Sequence, residues 1–130
     1  MQTFALQKRG AFSALAIAVF LTACAHALPT PKLDRSSELN LAPIAERFQV
    51  PRCQVSVPMS QDEALQYVER WNVPDPENRP DWIAIAEATK SGDQLREVTC
   101  VRRGQRGGNV FLGLFREGAM VAEMHFVMLD

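Results

Sequence analysis

From Arg52 to Val57 apolar and polar side chains alternate, with Cys53, Val55 and Val57 on one side and Gln54 and Ser56 on the other. A period of two predicts a strand buried on one face, and Pro58 ends it. The period then changes. Ser60-Gln61-Asp62-Glu63 has the spacing of a capping box, in which serine and glutamate side chains each accept from the other's backbone N–H. Behind it Ala64, Leu65, Val68 and Trp71 form an apolar stripe at helical spacing, with Tyr67 at its edge. Asn72 to Pro80 holds three prolines among polar residues and predicts a loop.

Residues 81–90 carry two patterns at once. Trp82, Ala84, Ala86 and Ala88 alternate as in a strand, whereas Trp82, Ile85, Ala86 and Thr89 share a helical face. Alanine favours helices and is depleted in strands, so helix is preferred, starting near Asp81 and stopping before Gly92. Upstream, Asn40 reads as an N-cap. Leu41, Ile44, Ala45 and Phe48 follow it at helical spacing, and Pro43 sits in the first turn, where its missing N–H costs little. That short helix either docks on the domain or lies on a membrane surface.

The C-terminal third predicts a three-stranded meander over Leu95–Arg103, Val110–Arg116 and Met120–Leu129. Its connections are the loop Gly104–Gly108 and a tight turn at Glu117-Gly118. A two-residue turn places Phe115 opposite Met120, Gly113 opposite Ala122 and Phe111 opposite Met124, an apolar face to receive the helices. The other face carries Val110, Leu112, Leu114, Val121, Glu123, His125 and Val127, more apolar surface than a free sheet face needs. Either residues 33–50 cover it or it is a contact surface. The fold class implied is α+β: an antiparallel sheet of three to four strands, two helices on one face, one disulfide.

Residues 1–24 follow a different logic. Lys8 and Arg9 precede an apolar run from Ala11 to Leu21, and small residues follow. The run is shorter than the roughly 20 residues that cross a bilayer as a helix. Its layout is that of a secretory signal peptide. Leu21-Thr22-Ala23-Cys24 resembles the lipobox of bacterial lipoproteins. The resemblance implies that residues 1–23 are removed and that Cys24 becomes the first residue. It implies further that Cys24 is lipidated on sulfur and acylated on its new amine, palmitate being a typical chain. Each buried methylene contributes about 0.8 kcal/mol, so several chains hold firmly where one binds marginally. Ala25, rather than an aspartate, implies the outer membrane, facing the periplasm. The organisation expected is a signal peptide over 1–23, a lipidated tether with the short helix over 24–50, and a small α+β domain over 51–130.

Assigning Cys24 to lipid leaves Cys53 and Cys100 in an oxidising compartment, where a disulfide is the expected state. It would close a loop of about 48 residues and stabilise by about 3–4 kcal/mol in the chain-entropy model. The spacing is unlike the close Cys-x-x-Cys pair of redox proteins. Two cysteines and the distant His26 and His125 show no metal-ligand spacing, and no cofactor is expected. Lys8 and Arg9 leave with the leader and no acid does, so the formal charge moves from −1 to −3. A mildly acidic module has no electrostatic reason to bind nucleic acid.

Three groups of residues are candidate sites, each with a structural alternative. Glu123 and His125 lie two apart on the last strand, as an acid–base pair would or as two solvated side chains. Arg102, Arg103 and Arg106 flank the glycine-rich loop, as an anion site for lipopolysaccharide phosphate or peptidoglycan carboxylate would require, or as a solvated tip. Trp71 and Trp82 flank the loop 72–80, as an aromatic floor for a glycan or Pro-rich ligand or as core residues. The expected function is a membrane-anchored, non-enzymatic accessory or adaptor of an envelope protein complex. The alternatives are an inhibitor or immunity protein against a periplasmic toxin or lytic enzyme, and a glycan- or lipid-binding module.

Overall fold

The Ser60–Glu63 capping box forms as its spacing predicts. In the computed structural model, which describes residues 31–102 and 108–129, the Ser60 hydroxyl accepts from the Glu63 N–H at 3.1 Å. The Glu63 carboxylate in turn accepts from the Ser60 N–H at 2.9 Å. The expected signal peptide over 1–23, Cys24, the expected tether to residue 30, and residues 103–107 with Arg103 and Arg106 lie outside the described residues.

The elements in chain order are α1 (Ala42–Arg47), β1 (Cys53–Val55), α2 (Gln61–Arg70), a 3-10 turn (Pro76–Asn78), α3 (Pro80–Ala88), β2 (Gln94–Val101), β3 (Gly108–Arg116) and β4 (Ala119–Leu129). The strands form one antiparallel sheet in the order β1-β2-β3-β4. Helix prevails over strand in residues 81–88, with Pro80 at the first helical position, where its fixed φ fits, and Thr89 as the C-cap. Arg79 ties that start to the sheet: its guanidinium donates to the Asp81 carboxylate and to the His125 carbonyl at 3.0 Å. Glu117 and Gly118 both take positive φ (50° and 82°), the pairing a two-residue hairpin turn requires.

Both faces of the sheet are covered. On one, α2 and α3 bring Ala64, Val68, Trp82 and Ile85 against Leu95, Leu112, Leu114 and Met124. On the other, α1 brings Ile44 and Ala45 against Val98, Phe111 and Phe115, beside the Cys53–Cys100 disulfide. These cysteines are direct partners across β1 and β2, with Cα atoms 4.4 Å apart. The two longer helices share one face as expected. The short helix docks on the opposite one, against Phe111 and Phe115, and not on the Leu112/Leu114 face that residues 33–50 were expected to cover. Asn40 accepts from the Ala42 N–H at 3.2 Å, although the helix cap itself falls at Leu41.

The face that receives α2 and α3 is not the one the alternation assigned. Two register shifts in the β3–β4 pair, at Leu114/Phe115 and at Val110/Phe111, each insert an extra β4 residue. Phe115 faces Met120 as a two-residue turn dictates. Beyond the first bulge, however, Gly113 faces Glu123 rather than Ala122, and Phe111 faces His125 rather than Met124. Met120 therefore packs with the α1 side and Ala122 with the α2/α3 side, although two residues apart normally share a face. Leu112 and Leu114 are buried under α2 and α3, not part of an open contact patch. Val121, the residue beside the first shift, remains exposed.

Residues 32–50 pack as part of the folded unit. The Asp34 N–H donates to the Val55 carbonyl at 3.0 Å and the Val57 N–H to the Lys32 carbonyl at 2.8 Å, extending the sheet beyond the short β1. A buried charge network secures them. Arg96, 5 % exposed, donates to Asp34 at 2.7 Å, to the Ser56 carbonyl at 2.9 Å and, through two nitrogens, to Gln94. A buried cation is tolerated when its donors are satisfied in this way. The Arg96 guanidinium, with help from Ser36, holds the Asp34 carboxyl below its ordinary value of 3.8.

Candidate functional site

The bulges place the sequence-predicted Glu123 and His125 beneath α1. Arg47 donates to both Glu123 oxygens, one bond measuring 2.9 Å, and His125 Nε2 lies 3.3 Å from Glu123 Oε2. The His125 ring stacks on Phe111 at 4.4 Å and meets Phe48 at 5.9 Å. The Arg47 guanidinium also lies 4.7 Å over the Phe48 ring. The carboxylate that would act as a base is thus gripped by a cation, and the cluster reads as a clasp holding α1 to β4. Partial burial raises the Glu123 pKa, but bonds from Arg47 and His125 outweigh it and leave the carboxyl below 4.5.

The two tryptophans separate. Trp82 is withdrawn into the α2/α3 core, and Trp71 remains 42 % exposed. Trp71 meets Tyr67 edge-on at 6.4 Å and Phe126 at the same distance, a local aromatic cluster without Trp82. A shared floor flanking the loop 72–80 is not formed. Asp75 opens the 3-10 turn of that loop in a left-handed conformation (φ 43°), and Pro76 is buried.

Arg102 lies at the end of β2, and the fold brings Arg52 to the same place. Cys53 faces Cys100 across the antiparallel register, so the residues before β1 and after β2 lie side by side. Arg52 and Arg102 line an open cleft of about 490 Å³ with Gln54, Thr99 and Val101. Arg52 also lines an adjoining cleft of about 570 Å³, together with Arg35 and Asp34. Among the described residues Asp34 is the one carboxylate lining either cleft, and it is already paired with Arg96. Arg35 and Arg52 are exposed, and neither makes an ion pair among the described residues.

Two residues before Thr99 on β2 stands a buried carboxylate. Glu97 is 8 % exposed; its Oε1 accepts from the Thr99 hydroxyl at 3.0 Å, and its Oε2 has no hydrogen-bond partner among the described residues. Burial first, and the Glu97 carboxylate second, push the Tyr67 phenol up. The chemistry this end of the sheet offers is anion attraction at the rim by Arg35, Arg52 and Arg102; Glu97 lines neither cleft.

Sequence reasoning found Arg102 but missed Arg35, Arg52 and Glu97. Nothing local marks them. Arg35 and Arg52 meet only through strand pairing across β1, and Glu97 reads as an outward-facing strand residue. No helix among the described residues is long and apolar enough to cross a membrane, and no group of three or more potential metal ligands converges among them. Comparison with protein-family models, curated proteins and solved structures returns no match.

Proposed function

We propose that this chain is a lipid-anchored, non-enzymatic accessory or adaptor of an envelope protein complex, held by Cys24 at the outer membrane and facing the periplasm. The observation that carries the reading is the pairing of Cys53 with Cys100. It leaves Cys24 as the odd cysteine, directly after Leu21-Thr22-Ala23, where a lipobox needs a thiol. A disulfide also suits an oxidising compartment. The engagement of Glu123 by Arg47 supports the non-enzymatic part, because it gives the acid–base candidate a structural task.

An inhibitor or immunity protein is the second reading. The loop 72–80 favours it, since buried Pro76 and the left-handed Asp75 hold it in one shape, and rigidity lowers the ordering cost of binding.

Affinity purification of the full-length tagged protein from detergent-solubilised envelopes, beside Cys24→Ala, tests these readings. A stoichiometric partner lost in Cys24→Ala supports the anchored complex component. A partner kept in both supports the inhibitor. No protein partner in either contradicts both.

A further inference from the structure

The tether root and the edge of the sheet carry a charge bias that the overall acidity hides. Four cations are spent internally, as Arg47–Glu123, Arg79–Asp81, Arg96–Asp34 and Arg116–Asp93. Of the described cations outside those pairs, Arg35 and Arg52 are exposed and line a cleft along β1, and exposed Lys32, on the segment paired with β1, lies in a neighbouring cleft with Arg70 and Glu63 of α2. The two clefts at this edge adjoin through Arg52 and Gln54, and exposed Arg102 lines the first of them. None of the acids on α2, on the 3-10 turn or on α3 lines either cleft. Among the described residues lining these two clefts, Arg35, Arg52 and Arg102 outnumber the single carboxylate, Asp34, and the clefts lie near the end where the chain enters the fold.

That end is also where a lipid on Cys24 would hold the domain. Lys32 lies eight positions after Cys24, so eight chain steps join them. Fully extended they span at most about 28 Å, and as a flexible coil about 15 Å. At physiological ionic strength the Debye length is about 8 Å, so charges on so short a tether reach the surface field with small excursions.

We infer that the cationic edge formed by Lys32, Arg35 and Arg52, with Arg102 beside them, docks on the anionic phospholipid headgroups of the membrane that carries the anchor. The inference rests on the lipid-anchor reading. Headgroup phosphates pair with the arginines at the cleft rims, where Asp34 does not compete because Arg96 holds it. Docking sets the domain's orientation: the β1 edge faces the bilayer, and the loop 72–80 and the α3 surface stay available to a protein partner.

The test uses the chain from Ala25 onward, which lacks the anchor and contains every described element. It is sedimented with neutral phosphatidylcholine vesicles and with vesicles that also contain phosphatidylglycerol. Each cation near an anionic surface is worth about fivefold in partitioning. Arg35→Gln/Arg52→Gln is therefore expected to lose roughly 25-fold in binding to anionic vesicles. Lys90→Gln, at the far end of α3, should change it less than about twofold. Near-UV circular dichroism of each variant should match the parent, since the altered side chains are exposed.

Equal binding to both vesicle types, or an unaltered Arg35→Gln/Arg52→Gln variant, would overturn the inference. Release of the parent chain by millimolar inorganic phosphate at constant ionic strength would do so too, pointing to a discrete anion site. Because this chain lacks Cys24, its result is separate from whether Cys24 is lipidated, which the mass of the full-length protein decides.

Discussion

Phe111 and His125 stand opposite each other across β3 and β4, their rings stacked with centroids 4.4 Å apart and planes 13° from parallel. The pairing exists because the Leu114/Phe115 shift moves every β4 residue beyond it one position out of the simple hairpin register. It turns Glu123 and His125 toward Arg47 and Phe48, and so creates the clasp that closes α1 over the sheet.

The clasp predicts a small coupling with a defined pH dependence. Arg47 is 46 % and Glu123 31 % exposed, so solvent screening limits the pair to about 0.2–1 kcal/mol in a double-mutant cycle of Arg47→Ala and Glu123→Ala. The folded pKa of Glu123 is depressed, so its contribution is present above the ordinary value of 4.5. It is lost as pH falls through the lower folded value. Urea unfolding at pH 7 and pH 3 checks both statements. A coupling that persists undiminished at pH 3 would contradict them.

A second acid-sensitive joint links the start of β2 to the end of β3. Asp93 accepts from Arg116 at 2.9 and 2.7 Å and from the Lys90 N–H at 2.8 Å, while Arg116 also donates to the Ala88 carbonyl at the end of α3. The Arg116 guanidinium, then the Lys90 N–H, lower the Asp93 carboxyl from 3.8 to about 2. Above about pH 4 the full contribution is present, and it fades as pH falls from there to about 2. Asp93→Asn should lower the melting temperature at pH 7 and flatten its decline over that acid range. A variant with the parent's pH profile would contradict the assignment.

Much of the chain was legible in its pattern, for identifiable reasons. The capping box announces α2 because Ser60 and Glu63 act locally. The Cys53–Cys100 pair was expected from the cysteine count and forms because the two face each other across β1 and β2, and alanine content favoured α3. The bulges were not legible, since an extra residue beside Val121 leaves no local mark and surfaces only in which residues it buries. Nothing in the local sequence marks Arg96 and Glu97 for burial. Their burial depends on Asp34, Gln94 and Ser56 arriving from three other points of the chain or strand. The cationic edge was half legible, because Arg102 is close to the glycine-rich loop while Arg35 and Arg52 reach it only through the fold.

Gly113 is predicted to resist any side chain. A Cβ there would stand 2.9 Å from the Met120 sulfur and from the Phe115 ring, and 3.2 Å from Val98. Gly113→Ala overpacks the α1 side of the sheet and should cost about 1–3 kcal/mol in urea unfolding. A cost near zero would mean that this layer repacks freely.

Reduction of the Cys53–Cys100 bridge, with a sequence separation of 47, removes a constraint worth about 3–4 kcal/mol in the chain-entropy model. At about 4–8 °C per kcal/mol for a domain of this size, the melting temperature should fall by more than about 10 °C. Thermal unfolding with and without a reductant measures it. An unchanged midpoint would show that packing alone carries the β1–β2 pairing.

The most direct test of the account is the mass of the N-terminal peptide of the full-length protein, purified with detergent from bacterial envelopes. The account predicts a chain beginning at Cys24, its sulfur and amine carrying acyl groups and no unmodified thiol remaining. A chain beginning at another residue, or an unmodified Cys24, would contradict the anchor on which the proposed function is built.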